Sequence, residues 1–216
     1  MNEPRITPVG ADPHPILCDV VEAIGNDGLA RGVANRVNDM VPTLTTERLI
    51  LRPLAASDIS AYAALNADPE VARFLSPDGQ PYSAHGSWHQ LAMFIGHWTL
   101  RGFGMWAMAE AERPHVLVGR VGAYHPDGWP DIEIGWALAR SCWGRGYATE
   151  GAAAAVRYAF EVLERPRVVS LIHPANMRSL AVAERLGERR SGEWVHRGQS
   201  LELYALDRAE WLATRK

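Results

Sequence analysis

The segment Glu133-Ile134-Gly135-Trp136-Ala137-Leu138-Ala139-Arg140-Ser141-Cys142-Trp143-Gly144-Arg145-Gly146-Tyr147-Ala148-Thr149-Glu150 changes its periodicity midway, and that change decides the fold. Its first part alternates. Ile132, Ile134, Trp136 and Leu138 point to one side, and Asp131, Glu133, Gly135 and Ala137 to the other, as in a strand. From Ala148 onward the small and apolar positions Ala148, Ala152, Ala155, Val156, Ala159, Phe160 and Leu163 fall on one broad helical face. Two glycines, Gly144 and Gly146, stand between strand and helix. A helix N-terminus carries unpaired N–H groups and a partial positive charge, so a glycine turn there lets several donors converge on an anion, and phosphate is the natural guest. Arg145 can add a charge-assisted contact, while the small Ala148 and Thr149 keep the approach open. The plain alternative is a strand-to-helix turn whose glycines serve only the backbone.

Two familiar phosphate loops do not fit. A dinucleotide fingerprint needs a third glycine where Thr149 stands and an acidic residue closing the second strand, but Glu164 precedes its strand and Pro166 intervenes. A Walker-type loop needs Gly-Lys-Ser or Gly-Lys-Thr, and neither occurs.

Outward from this segment, Met105 to Glu110, Val116 to Tyr124 and Asp131 to Leu138 read as an antiparallel meander punctuated at Arg113-Pro114 and Asp127-Gly128-Trp129-Pro130. Leu49 to Leu54 reads as a strand, Ser57-Asp58 as the cap of a helix bearing Ile59, Tyr62 and Leu65, Pro69 as a break, and residues 86 to 101 as a longer helix. Downstream, Val168 to Ile172 is a buried strand. Asn176 caps a helix that Gly187 ends in the left-handed conformation, and strands near 191 to 196 and 200 to 206 follow. The order implies an α+β fold: a mixed, mostly antiparallel central sheet of about seven strands flanked by helices. Residues 1–42, punctuated by Pro4, Pro8, Pro13, Pro15 and Pro42, read as an appended extension, either a disordered stretch or a dimer arm; residues 43–216 form the domain.

The chain has 216 residues, 47% hydrophobic and 22% charged, which suits one folded core. No apolar run approaches the roughly 18 residues that span a bilayer, and the N-terminus lacks a basic-then-apolar signal, so a cytoplasmic protein without membrane partners is expected. A net charge of -3 offers nucleic acid no long-range attraction. Cys18 and Cys142 suggest neither a disulfide framework nor a metal knuckle. His85 and His89 have the spacing of a metal pair but lack a third ligand, so no metal is expected.

Three segments together resemble the GNAT superfamily of N-acetyltransferases, and within it the branch of ribosomal-protein N-terminal (alanine) acetyltransferases. They are Thr46-Glu47-Arg48-Leu49-Ile50-Leu51-Arg52-Pro53, the opening Glu133 to Glu150 segment, and Asn176-Met177-Arg178-Ser179 with Leu186-Gly187. The resemblance implies that the strands Asp131 to Leu138 and Val168 to Ile172 splay apart and that the pantetheine arm of acetyl-CoA lies between them. It implies a cofactor site of Trp136, Ala137, Leu138, Trp143, Gly144, Arg145, Gly146, Tyr147, Ala148, Thr149, Asn176 and Ser179, with an oxyanion donor at a backbone N–H near Leu138. The chain departs from the superfamily pattern in having Ala183 where many members carry a tyrosine general acid, and Glu188 after Gly187 where an aromatic is usual.

Acetyl transfer to an amine needs a neutral nucleophile, a stabilised oxyanion and a proton for the departing thiolate. Glu133, on a strand among small neighbours, is the candidate base, with a cross-strand salt bridge as its structural alternative. Ser179 is the candidate donor to the thiolate. Expected partners are acetyl-CoA and an amine acceptor, either a protein N-terminal α-amine or a small molecule, in a monomer or homodimer. A non-catalytic acyl-CoA-binding sensor on the same fold is the competing expectation.

Overall fold

The computed structural model describes residues 41–214 apart from residue 197. The expected extension before residue 43 therefore lies almost wholly outside the described residues. Eight strands form one sheet: β1 (Leu44–Thr45), β2 (Leu49–Arg52), β3 (Met105–Glu110), β4 (Leu117–Tyr124), β5 (Glu133–Leu138), β6 (Arg167–Ile172), β7 (Arg189–His196) and β8 (Gln199–Asp207). Their spatial order is β1-β2-β3-β4-β5-β6-β8-β7, and every neighbouring pair is antiparallel except β5 with β6. The sheet thus has one strand more than the seven expected. The addition is β1, a two-residue edge strand too short to leave a periodic signal.

Among the described residues six α-helices accompany it: α1 (Ile59–Ala67), α2 (Pro69–Leu75), α3 (Ala84–Arg101), α4 (Tyr147–Glu161), α5 (Met177–Leu186) and α6 (Arg208–Ala213). Pro69 does break the helical run, with α1 ending at Ala67 and Asp68 extended, but it also starts α2. It occupies the first helical turn, where a missing N–H costs nothing, and Asp68 caps the turn by accepting the Glu70 N–H at 2.9 Å. Asp58 likewise serves differently from the expected cap. Its carboxylate is 3% exposed, binds the Arg52 guanidinium through two hydrogen bonds of 2.6 and 2.8 Å and accepts the Ala55 N–H, fixing the turn from β2 toward α1.

The alternation in β5 divides the core between the two faces of the sheet. Ile134 and Leu138 join Leu49, Trp106, Met108, Val121 and the buried face of α4 on one side, while Ala137 joins Tyr62, Leu65, Leu91, Phe94 and Met105 on the other. Helix α4 lies unusually close to the sheet. At Gly151, an added Cβ would meet Met108 Cε at 2.6 Å and Val121 Cγ1 at 3.3 Å, so the absence of a side chain sets that approach. This seating aims the N-terminus of α4 at the end of β5.

Candidate functional site

Strands β5 and β6 begin side by side and do not stay so. They share one ladder pair, Glu133 with Val169, and the Val169 N–H donates to the Ile132 carbonyl at 2.9 Å. Backbone groups of alternate residues point to the same edge of a strand, so the N–H groups of Trp136 and Leu138 face the β6 side, where the pairing has ended. That edge opens into a cleft of about 1100 Å3 lined by Trp136, Ala137, Leu138, the Trp143 to Glu150 turn apart from Arg145, and one face of α5. An extended, amide-bearing ligand chain can bind such an edge as a strand would.

The glycine turn closes one end of the cleft. Gly144 and Gly146 have φ of +75° and +80°, the left-handed region that disfavours a side chain, so both are needed for the turn to reverse and start α4. The first intrahelical bond runs from the Glu150 N–H to the Gly146 carbonyl, which leaves the preceding N–H groups as the donors of an anion cradle. Around it, Arg48 and Glu150 form a brace. Glu150 accepts from Thr46 Oγ1 (2.6 Å), Arg48 N (2.8 Å) and Arg48 Nε (2.7 Å), and Arg48 Nη1 donates to the Arg145 carbonyl at 2.8 Å. Burial pushes the Glu150 carboxyl up, but these donors outweigh it and hold it below the usual range. Glu150 is therefore engaged in shaping the turn.

Of the residues expected at the cofactor, Trp136, Ala137, Leu138, Trp143, Gly144, Gly146, Tyr147, Ala148, Thr149, Asn176 and Ser179 come together along this cleft, but Arg145 does not. Its guanidinium turns outward to Glu110 Oε1 at 3.1 Å, where Tyr147 Oη also donates at 3.0 Å. A left-handed glycine on each side rotates the Arg145 side chain off the concave face, which alternation alone did not reveal. The arginines that line the cleft are Arg48, Arg73, Arg178 and Arg185. Arg178 lies 4.5 Å over the Trp143 ring, and Trp143 Nε1 donates to the Leu138 carbonyl at 2.9 Å, so a cation, an indole and the end of β5 are tied in series. Arg48 and Arg178 both stand inside the quoted motifs, and that was the available signal for them.

Asn176 Oδ1 accepts the Ser179 N–H at 3.2 Å and caps α5, leaving the Ser179 side chain at the cleft. Ala183 is fully buried and brings no acid to the site.

Glu133 sits at the closed root of the cleft, not among its lining residues, and it is not among small neighbours alone as expected. Trp129 Nε1 donates to its Oε2 at 2.7 Å, and Tyr124 is its ladder partner on β4. The residue keeps some exposure, yet its carboxyl is packed closely enough that burial pushes it up to about 7, against the lowering effects of the Trp129 bond, the Arg120 charge and the Leu171 backbone. A carboxyl poised there exchanges protons near neutrality. Trp129 was read only as loop punctuation; its contact with Glu133 spans four residues of irregular chain and left no periodic trace.

The remaining candidates are structural or unaccompanied. His173 Nδ1 accepts the Ala175 N–H at 3.1 Å. His85 and His89 place their Nε2 atoms 2.9 Å apart, and no group of three or more metal-ligating side chains occurs among the described residues. Among the described residues no helix is long and apolar enough to cross a membrane.

A family model described as the acetyltransferase (GNAT) domain matches residues 48–189. The chain is 29% identical over 197 residues to the FsC-acetyl coenzyme A-N(2)-transacetylase of Aspergillus fumigatus, covering 81% of this chain and 80% of that protein. It is 30% identical over 151 residues to the uncharacterized protein YkkB of Bacillus subtilis, covering 67% of this chain and 83% of that one. Among solved structures, an acetyltransferase from Agrobacterium tumefaciens superposes with a TM-score of 0.69 at 35% identity, over 77% of this chain and 94% of that chain.

Proposed function

The chain belongs to the GNAT acetyltransferases and is an N-acetyltransferase of that family, and from that premise we propose that it moves an acetyl group from acetyl-CoA to a primary amine by direct attack, with Glu133 as base. The observation that carries this reading is the cleft itself. A two-glycine anion cradle and an unpaired β5 edge border one groove, with a carboxyl of near-neutral affinity for protons at its root. Pyrophosphate suits the cradle, with Trp143, Gly144, Gly146, Tyr147, Ala148 and Thr149 around it. The two amides of a pantetheine arm suit the backbone of Trp136 and Leu138, and the 3′-phosphate end has Arg48, Arg73, Arg178 and Arg185 within the same groove to draw upon. Acetyl-CoA enters as a co-substrate; no metal takes part in the proposed steps.

In this mechanism the amine nitrogen attacks the thioester carbonyl carbon, and the carbonyl oxygen gathers negative charge against the Leu138 N–H. The Glu133 carboxylate takes the amine proton, directly or through one water. As the C–S bond breaks, the electron pair leaves on sulfur, and Ser179 Oγ is the donor assigned to that thiolate because Ala183 has nothing to give. The acceptor is a protein N-terminal α-amine or a small-molecule amine; the name of the Aspergillus relative, an N(2)-transacetylase, fits an amine acceptor. We place the reaction in the cytoplasm, in a monomer or homodimer.

The test is thiol release from acetyl-CoA over a panel of N-terminal peptides, polyamines and aminoglycosides. Release that depends on one amine class supports the proposal and names the acceptor. Glu133→Gln should then abolish most turnover while acetyl-CoA still binds, and unchanged kinetics with the true acceptor would remove Glu133 from the mechanism.

A further inference from the structure

Behind the point where β5 and β6 part, a carboxyl group lies buried that the proposed chemistry does not use. Glu188 follows the left-handed Gly187 at the end of α5 and is 2% exposed. Its Oε1 lies 3.0 Å from Ser170 Oγ, while its Oε2 is buried without a hydrogen-bond partner among the described residues. Ser170, in the middle of β6 and 1% exposed, also places its Oγ 2.9 Å from the Ile134 carbonyl.

The protons available limit how this group can be satisfied. A serine hydroxyl has one proton to donate, and a carbonyl can only accept. The single Ser170 proton can serve the Ile134 carbonyl or Glu188 Oε1 but not both, so the two contacts are hydrogen bonds at once only when Glu188 carries a proton of its own and donates it to Ser170 Oγ. An ionised carboxylate would set two acceptors against one proton and leave a charged oxygen unpaired in the interior. Burial, opposed by the Ser170 bond and reinforced by the Glu133 charge, pushes Glu188 up to about 8, in the same direction. The ionisable groups around it are Glu133 on β5, Tyr204 on β8 opposite Ser170, and Glu184 on α5, Arg189 on β7 and Glu210 on α6, which line one surface hollow with Glu188, Arg189 pairing with Glu210.

The chain of donors from Glu188 through Ser170 to Ile134 ends the β5–β6 ladder. The Ile134 carbonyl is the next acceptor on the β5 edge after Ile132, which takes the Val169 N–H. A side-chain hydroxyl satisfies it without requiring the pairing to extend, and the cleft begins there. We propose that Glu188, acting through Ser170 as a neutral acid, is a positioning residue that fixes where the two strands separate and thereby sets the affinity for acetyl-CoA. This rests on reading the cleft as the acetyl-CoA site.

The test measures the acetyl-CoA Kd by calorimetry from pH 6.5 to 9.5 on the full chain, with kcat at saturating cofactor. The wild type should weaken about tenfold across the upper half of that range, on the order of one lost hydrogen bond. Glu188→Gln has an amide N–H that donates without titrating, so it should keep the neutral-pH affinity and lose that weakening. Ser170→Ala should bind about tenfold more weakly at pH 7 with little change in kcat. Titration of the ligand and of Glu133 is common to wild type and Glu188→Gln, so the difference between their curves isolates Glu188. Parallel curves for the two, or an unaltered Kd in folded Ser170→Ala, would overturn the inference; if Ser170→Ala fails to fold, the near-isosteric Glu188→Gln decides. A wild type that binds no acetyl-CoA at any pH would instead bring down the functional reading beneath it.

Discussion

Glu133 and Glu188 are two carboxyls in one chain whose surroundings favour the protonated form, and they differ in what that form can do. Glu133 is near its midpoint at neutral pH and has an opening on one side, so its ionised fraction should control turnover. As a base it must be deprotonated, so kcat/KM, corrected for the neutral fraction of the acceptor amine, should rise with pH, close to tenfold per unit well below 7, and level off above it. Glu133→Gln should lose that limb and cost about 10²- to 10⁴-fold in kcat, the usual range for removing a general base, with cofactor affinity kept. A stopped assay across pH 5.5 to 8.5 reads both. The same two groups bear on stability. Each has a folded affinity for protons above its unfolded value near 4.5, so between about 4.5 and 7 for Glu133, and 4.5 and 8 for Glu188, the native state holds more protons than the unfolded one. Stability should therefore fall as pH rises through that window, by up to about 1.4 kcal/mol per pH unit for each group. Urea unfolding at pH 5 and pH 8 measures the fall, and Glu188→Gln should make it shallower. Equal stability of the wild type at both values would contradict the protonation assigned to the pair.

At the scale of elements, the turn between β5 and α4 carries the most information. Gly146→Ala would force an alanine to φ +80° and bring its Cβ to 3.3 Å from Arg48 Nη2, disturbing the brace that Arg48 makes with Glu150 and the Arg145 carbonyl. The backbone cost alone is about 1 to 2 kcal/mol, so thermal unfolding should shift down and acetyl-CoA should bind about tenfold more weakly, which a melt and a calorimetric titration would show together. The longer elements were legible beforehand because burial imprints a period on them. The alternation of Ile132, Ile134, Trp136 and Leu138 and the helical run from Ala148 to Phe160 follow from facing a core on one side. β1 and α6, at two and six residues, are too short to show a period. The helix that Pro69 starts was missed because a proline reads alike as a break and as a first helical residue, and only the Asp68 cap before it shows that it is both.

Across the molecule, the site depends on contacts between distant parts of the chain, and these were the least legible. Arg48 meets Glu150 across 102 residues, and Ser170 meets Ile134 across 36 and Glu188 across 18, so no local pattern joins them. What could be read from the residues was an anion site, because the glycine turn and the strand before it are contiguous and their geometry follows from backbone physics; the class of chemistry came from the resemblance of three separate segments to the GNAT superfamily. The direction of Arg145 and the partner of Glu133 could not, since one follows from the left-handed glycines beside it and the other from an irregular loop, and neither leaves a periodic trace. That this assembled cleft takes acetyl-CoA is open to an equilibrium binding measurement. Titrating acetyl-CoA into the full chain at pH 7 should show saturable one-site binding, and at a hundred times Kd the fold should gain about 2.7 kcal/mol, read as a rise in Tm that Gly146→Ala diminishes. No heat of binding and no change in Tm at millimolar acetyl-CoA would contradict it.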